Sequence, residues 1–306
     1  MPLVPLNGIE INYRDGGRGE DLLLVHNLTS NITGFDRNFP ELSRHYRTVA
    51  ADLRGHGLTT HEENEAAAAG FYTFDNMVDD QLALLDKLGI DRFYLFGQAF
   101  WGANVALHLF DRVPDRVKGL VISSTYMIIN DAREKAYDAL GEQAQQNFRR
   151  MHEQARTEGM MAVYQDRLAS GQFWGPKVLG SPDILEAFAA AHRLTSPTAF
   201  VTIPQLSRER RAGIAAKLSA RGLPLMLLLG EDETPHERKL FIDEMRADYP
   251  GTHVLLLPGA GHYPTIENPA DFNRVLLDFY AGVARYGDTR ADTENESDTT
   301  PEEASA

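Results

Sequence analysis

Phe93-Tyr-Leu-Phe-Gly97-Gln98-Ala99-Phe100-Trp101-Gly102 runs from an apolar segment of strand length into a glycine-framed turn, and beyond it Ala103, Ala106, Leu107 and Phe110 recur at helical spacing. A short apolar run followed by 3.6-residue periodicity reads as a strand, a tight turn and a helix. The alternation continues on both sides. Strands are expected at Ile9–Tyr13, Leu22–His26, Thr48–Asp52, Phe93–Gly97, Gly119–Ser123, Leu225–Gly230 and His253–Leu257, and Phe74, Val78, Leu82 and Leu85 mark a further helix. Strands alternating with amphipathic helices imply βαβ units and a mainly parallel sheet, so the fold class is α/β.

The chain has 306 residues, 43% of them hydrophobic, enough to bury a sizeable core. Thirty Lys and Arg against forty-four Asp and Glu give a net charge of −14, a field that repels phosphate backbones and anionic membranes. Nucleic acid and membrane are therefore not expected partners. No cysteine occurs, which removes disulfides, thiolate metal sites and a cysteine nucleophile. The N-terminal Met1-Pro-Leu-Val-Pro-Leu-Asn-Gly has neither a basic nor an apolar leader region, and no apolar run reaches the roughly 18 residues of a membrane span. A cytoplasmic protein is the expectation, and the sequons at Asn27, Asn31 and Asn295 are read as chance.

No strand run is visible between Tyr126 and about Pro204, where Leu140, Ala144, Phe148 and Met151 keep helical spacing. The expected organisation is a core of residues 1–125 and 205–286, a helical cap of 126–204, and a disordered acidic tail of 287–306. That tail carries seven carboxylates against one Arg and no large apolar residue. Tyr126, Met127, Met160, Met161, Tyr164, Phe173 and Trp174 suit either an apolar pocket roof or plain helix–helix packing. The apolar cap face fits a roof or a homodimer contact equally.

Ligands of an open α/β sheet bind at the carboxyl ends of its strands. The loops expected there are His26-Asn-Leu-Thr29, Asp52-Leu-Arg-Gly-His-Gly57, Gly97-Gln-Ala-Phe-Trp-Gly102, Gly230-Glu-Asp-Glu233 and Gly259-Ala-Gly-His262. Together these resemble the α/β-hydrolase superfamily, in order and spacing, from Ile9 to Tyr280. The resemblance implies a mainly parallel eight-stranded sheet flanked by helices, with a helical cap inserted after strand 6. It also implies a Gly-x-Ser-x-Gly nucleophile elbow after the fifth strand. Ala99 stands at the serine position, and a methyl group cannot attack a carbonyl. Trp101 stands where the pattern has its last glycine, with Gly102 one residue later.

By the same resemblance His262 is the catalytic histidine, with a pKa range suited to proton transfer near neutrality. Its orienting carboxylate is Glu233, three residues after Gly230, with Asp232 as the alternative. The oxyanion hole is backbone N–H from Phe100 and from Asn27 or Leu28. Asn27 serves a positive-φ turn or adds a side-chain donor. Gln98, Trp101 and His26 border this region, and His26 and His56 read as loop-shaping residues. Ser30, Ser123, Ser124 and Thr125 offer no obvious replacement nucleophile. Metal-ligand spacings and phosphate-binding glycine loops do not occur, so cofactor-free chemistry is expected.

Three functions remain open on this reading. The first is His–acid catalysis without an acyl-enzyme on a small hydrophobic carbonyl-bearing or aromatic, polyketide-like compound, as a lyase, isomerase, cofactor-free oxygenase or water-mediated hydrolase. The second is a non-catalytic ligand-binding relative. The third is a serine ester or carbon–carbon hydrolase whose Ser has been replaced by Ala99.

Overall fold

The computed structural model describes residues 2–125, 141–171, 174–204 and 213–296. Eight strands form one sheet: β1 (Leu3–Leu6), β2 (Ile9–Gly16), β3 (Asp21–Val25), β4 (Arg47–Ala51), β5 (Phe93–Gly97), β6 (Val117–Ser123), β7 (Leu225–Gly230) and β8 (His253–Leu257). Their spatial order is β1-β2-β4-β3-β5-β6-β7-β8, parallel from β4 to β8 and antiparallel where β2 joins β1 and β4. The strand absent from the sequence reading is β1. Its Leu-Val-Pro-Leu contains Pro5, which lacks an N–H and is confined to sheet edges, the position β1 takes. The two-residue turn Asn7-Gly8, both residues at positive φ, folds β1 back on β2 as a primed hairpin turn does.

Strand β5 is buried at every position, as a central parallel strand covered on both faces must be. Phe93 and Leu95 enter one apolar cluster with helices α1 (Phe74–Lys87) and α2 (Ala99–Arg112). Tyr94 and Phe96 enter a second cluster on the opposite face, with Phe272, Leu276 and Tyr280. Burying each of these large side chains stabilises the fold by about 1.5–3 kcal/mol relative to exposure.

Between β6 and β7 the described residues form helices, α3 (Gly141–Glu158), α4 (Met160–Ser170), the short Pro176–Leu179, α5 (Pro182–Arg193) and α6 (Pro197–Thr202). Helix α3 carries the Ala144, Phe148, Met151 periodicity, and Met151 is fully buried. Tyr164, Trp174, Ile184 and Phe188 build a third cluster that includes Tyr263. Trp174 stacks on Phe188 at 5.1 Å, and Phe188 meets Tyr263 edge-on at 4.9 Å. The expected residues Tyr126, Met127 and Phe173 lie outside the described residues. Helix α7 (Pro269–Glu296) continues through residues 287–296, into the stretch expected to be tail, and 297–306 lie outside the described residues. No described helix is long and apolar enough to cross a membrane.

Candidate active site

Strand β5 ends at Gly97, Gln98 stays extended, and Ala99 at φ +48° turns the chain into α2. This left-handed conformation is unfavourable for a residue with a Cβ, so the surroundings must hold it. Side chains from neighbouring loops do so. Ala99 N–H donates to Ser123 Oγ at 3.1 Å, and Trp101 N–H donates to Asn27 Oδ1 at 3.0 Å. Both N–H groups belong to the first helical turn, which has no intrahelical acceptors for them.

The closest contact of helix and strand is made at Gly102. A Cβ there would lie 2.6 Å from Val25 O and 2.8 Å from His26 O, and one on Gly97 would lie 2.7 Å from Gly102 O. Position 101 is thereby relieved of close approach, and the Trp101 ring stacks on Phe74 at 6.3 Å. With Leu28, Leu53, His56, Phe74, Met77, Val105 and Ile203 it walls a void of about 10 Å³. Gly102→Ala is expected to destabilise the fold by about 1–3 kcal/mol through overpacking against backbone oxygens. Gly70→Ala, in a helix with nothing within 4 Å of the added methyl, is the contrasting case. It should gain up to about 1 kcal/mol, and urea denaturation measures both.

The loops after β7 and β8 are joined through their backbones. Glu231 N–H donates to Leu257 O and Asp232 N–H to Ala260 O, each at 2.9 Å. A Cβ on Gly230 would fall 2.2 Å from the carbonyl oxygens of Ala260 and Gly261, so only glycine admits this contact. The junction brings Glu233 Oε1 to 3.9 Å from His262 Nδ1, with the Glu233 side chain 2% exposed and that of His262 19% exposed. Of the two expected acids, Asp232 is exposed and Glu233 is the one beside His262.

Two supports of this pair have no local sequence signature. Ser124, at φ +47° just beyond β6, donates its hydroxyl to Glu233 Oε1. Glu267 accepts from Gly261 N–H at 2.9 Å and Tyr263 N–H at 2.8 Å, bracing the backbone on both sides of His262. Burial raises the pKa of Glu267, and these two N–H groups oppose the shift.

The loop after β3 is fixed by His26. Its Nδ1 lies 2.8 Å from Asn27 O and its Nε2 accepts from Leu53 N–H at 2.9 Å, so Nδ1 carries the proton. Burial pushes its pKa down to about 4. With both nitrogens engaged by backbone and the ring fully buried, His26 braces the loop, the loop-shaping role expected of it. His56 is similar: its ring lies 5.2 Å from that of His26, and burial pushes its pKa to about 3. Asn27 commits its Oδ1 to the elbow and its amide lies beside the Tyr263 hydroxyl. Gln98 is fully buried and donates to Thr265 Oγ1 at 2.6 Å, tying the elbow to the histidine loop rather than lining an open site. Leu28 lies in the loop after β3, lining a void with Trp101, and Phe100 lies in the first turn of α2. Of the candidate hydroxyls, Ser123 serves the elbow and Ser124 the acid.

A mainly parallel sheet with a strained turn after β5, and an acid and a histidine after β7 and β8, defines a hydrolase-type α/β architecture. The alpha/beta hydrolase fold family model matches residues 22–269, and the chain belongs to that family. It is similar to a 2-hydroxy-6-oxo-2,4-heptadienoate hydrolase of Pseudomonas putida, 27% identical over 288 residues, covering 91% of this chain and 95% of the relative. It is also similar to epoxide hydrolase 1 of Siraitia grosvenorii, 34% identical over 124 residues, 40% of this chain and 38% of that protein. Among solved structures, a carboxylesterase of Nitrososphaera gargenis superposes with a TM-score of 0.77 at 24% identity, covering 93% of this chain and 99% of the other.

Proposed function

We propose that the protein is an enzyme that acts on a small hydrophobic carbonyl-bearing or aromatic compound through His262–Glu233 acid–base catalysis, without a serine acyl-enzyme. Ala99 occupies the family's nucleophile position on this reading, and the helices between β6 and β7 form a cap over the site. The observation that carries it is the buried Glu233 beneath His262, together with a fully buried Ala99 that has no reactive atom at the strained turn after β5. A residue with no reactive atom is held in an unfavourable conformation, and the proton-transfer pair is retained.

His262 then takes a proton through Nε2, from a carbon next to the substrate carbonyl or from a water that adds to it. Negative charge moves to the carbonyl oxygen, where N–H groups of Phe100 and of Leu28 or Asn27 stabilise it. Glu233 holds Nδ1–H and offsets the charge of the imidazolium until His262 returns the proton. The apolar Tyr164, Trp174 and Phe188 cluster against Tyr263 suits a hydrophobic substrate body.

The test is turnover of a panel of aryl esters and enolisable aromatic or polyketide-like ketones by the protein and its His262→Ala and Glu233→Gln variants. His262→Ala should lose at least about 100-fold, the usual contribution of a positioned acid–base group. Turnover that survives in His262→Ala overturns the reading. An unmodified chain that binds panel compounds without converting any makes the protein a binder.

A further inference from the structure

In the helical segment between β6 and β7 the guanidinium of Arg167 is buried, and no described carboxylate pairs with it. Arg167, on α4, is 7% exposed. Its Nη1 donates to Thr29 Oγ1 at 2.8 Å and lies 3.4 Å from His192 Nε2, while Nε has no acceptor. His192 does not compete as a second cation: Nδ1 lies 2.7 Å from Phe188 O, and burial together with the Arg167 charge pushes its pKa to about 3. The neighbouring carboxylate, Asp166, turns away to pair with Arg150. Among the described residues no carboxylate stands within ion-pair distance of Arg167.

Its position joins this charge to the candidate active site. Thr29 follows Leu28 in the loop after β3, and Tyr263, next to His262, lies close enough to Arg167 for the two to interact electrostatically. A buried charge left unpaired is strongly unfavourable, and a guanidinium presents a planar fork that matches two carboxylate oxygens. We infer that Arg167 anchors a carboxylate carried by the ligand, with its Nε and Nη2 edge meeting the two oxygens while Thr29 and His192 hold Nη1.

A monoanion fits this subsite better than a phosphate. Arg167 is a single charge and His192 is neutral, so one carboxylate cancels it, whereas a dianion would leave excess negative charge buried in a protein already at −14. The Phe200 ring, 5.6 Å from the guanidinium carbon, and the Tyr164 and Trp174 rings offer apolar contact to the rest of the ligand. This inference rests on the site being the ligand site proposed above and adds the chemical class of what it takes.

The test is calorimetric titration of the full chain with benzoate, its neutral counterpart benzamide, and inorganic phosphate. Benzoate should bind more tightly than benzamide, and Arg167→Met should weaken benzoate roughly 10- to 100-fold, the range for a lost charged hydrogen-bond set, while leaving benzamide within about twofold. Should Arg167→Met fail to fold, Arg167→Lys decides. It keeps length and charge but not the fork, and should still weaken benzoate by about tenfold. Equal affinity for benzoate and benzamide, benzoate affinity unchanged in either variant, or phosphate bound more tightly than benzoate overturns the assignment. Benzoate binding that depends on Arg167 in a chain that converts no panel compound leaves the anion subsite standing and the catalytic reading lost, whereas turnover with Arg167-independent benzoate binding does the reverse, so the two failures are separate results.

Discussion

On the proposed reading, Ala99→Ser is expected to hydrolyse aryl esters at least about 10³-fold faster than the unmodified chain, as adding a nucleophile to the proposed His262–Glu233 pair should. Ala99 already sits at φ +48°, so the strain that a nucleophile elbow requires is present before the substitution. The change adds one oxygen to a side chain whose own backbone N–H is held by Ser123, in a turn that Asn27 holds at Trp101. Glu233 is buried against His262, ready to orient the base. Labelling by an aryl fluorophosphonate gives a second readout: Ala99→Ser should be modified at residue 99, and Ala99→Ser combined with His262→Ala should not. An unlabelled and inactive Ala99→Ser would mean that the elbow is closed to ligands, and the catalytic proposal would fall with it. Esterase activity in Ala99→Ser, with no conversion of the panel by the unmodified chain, would instead identify a silenced serine hydrolase.

Stability is expected to fall steeply as pH drops from about 6.5 towards 4. Burial holds His26 at about 4, and His56 and His192 at about 3, all below the ordinary value of about 6.5. In the unfolded chain each takes up a proton as pH falls through about 6.5, while the folded protein does not until near 4 or below. Between those limits the unfolded state therefore binds more protons, and acid favours it. Each histidine contributes about 1.4 kcal/mol per pH unit, so the three together remove about 4 kcal/mol per unit against a total stability of about 5–15 kcal/mol. Asp52 and Glu267, whose pKa values burial raises, act in the opposite direction and blunt the loss at the acid end. Urea denaturation at pH 7.5, 6 and 5 measures the slope. His192→Asn should make it shallower by about 1.4 kcal/mol per unit, and a flat profile would contradict the burial of these rings.

What could be read from residue order follows the physics of each element. Strands β5 and β7 are covered on both faces, so they appear as unbroken apolar runs with boundaries that match the structure. The edge strand β1 lacks such a run and contains proline, and only the Asn7-Gly8 turn betrays it. At the candidate site, the family resemblance pointed to Glu233 with Asp232 as the alternative, and burial distinguishes them because one packs under His262 and the other faces water. Arg167, Ser124 and Glu267 could not be found that way. An arginine on a polar-looking helix turn, a serine past a strand and a glutamate in a loop carry no periodic signal. They acquire roles only when the fold brings Thr29, Glu233 and the backbone around His262 to them.

The backbone seam at Gly230 gives Glu233 and His262 a support of their own, linked to the turn at Ala99 through Gln98 and Thr265. Glu233 and His262 hang from adjoining strands β7 and β8 through bonds that involve no helix of the inserted segment, whereas the turn at Ala99 is held from β3 and β6. A lineage built this way can exchange the residue at the turn while the proton-handling half stays in register. On the proposed reading, one scaffold could then pass between covalent and non-covalent chemistry by a single codon.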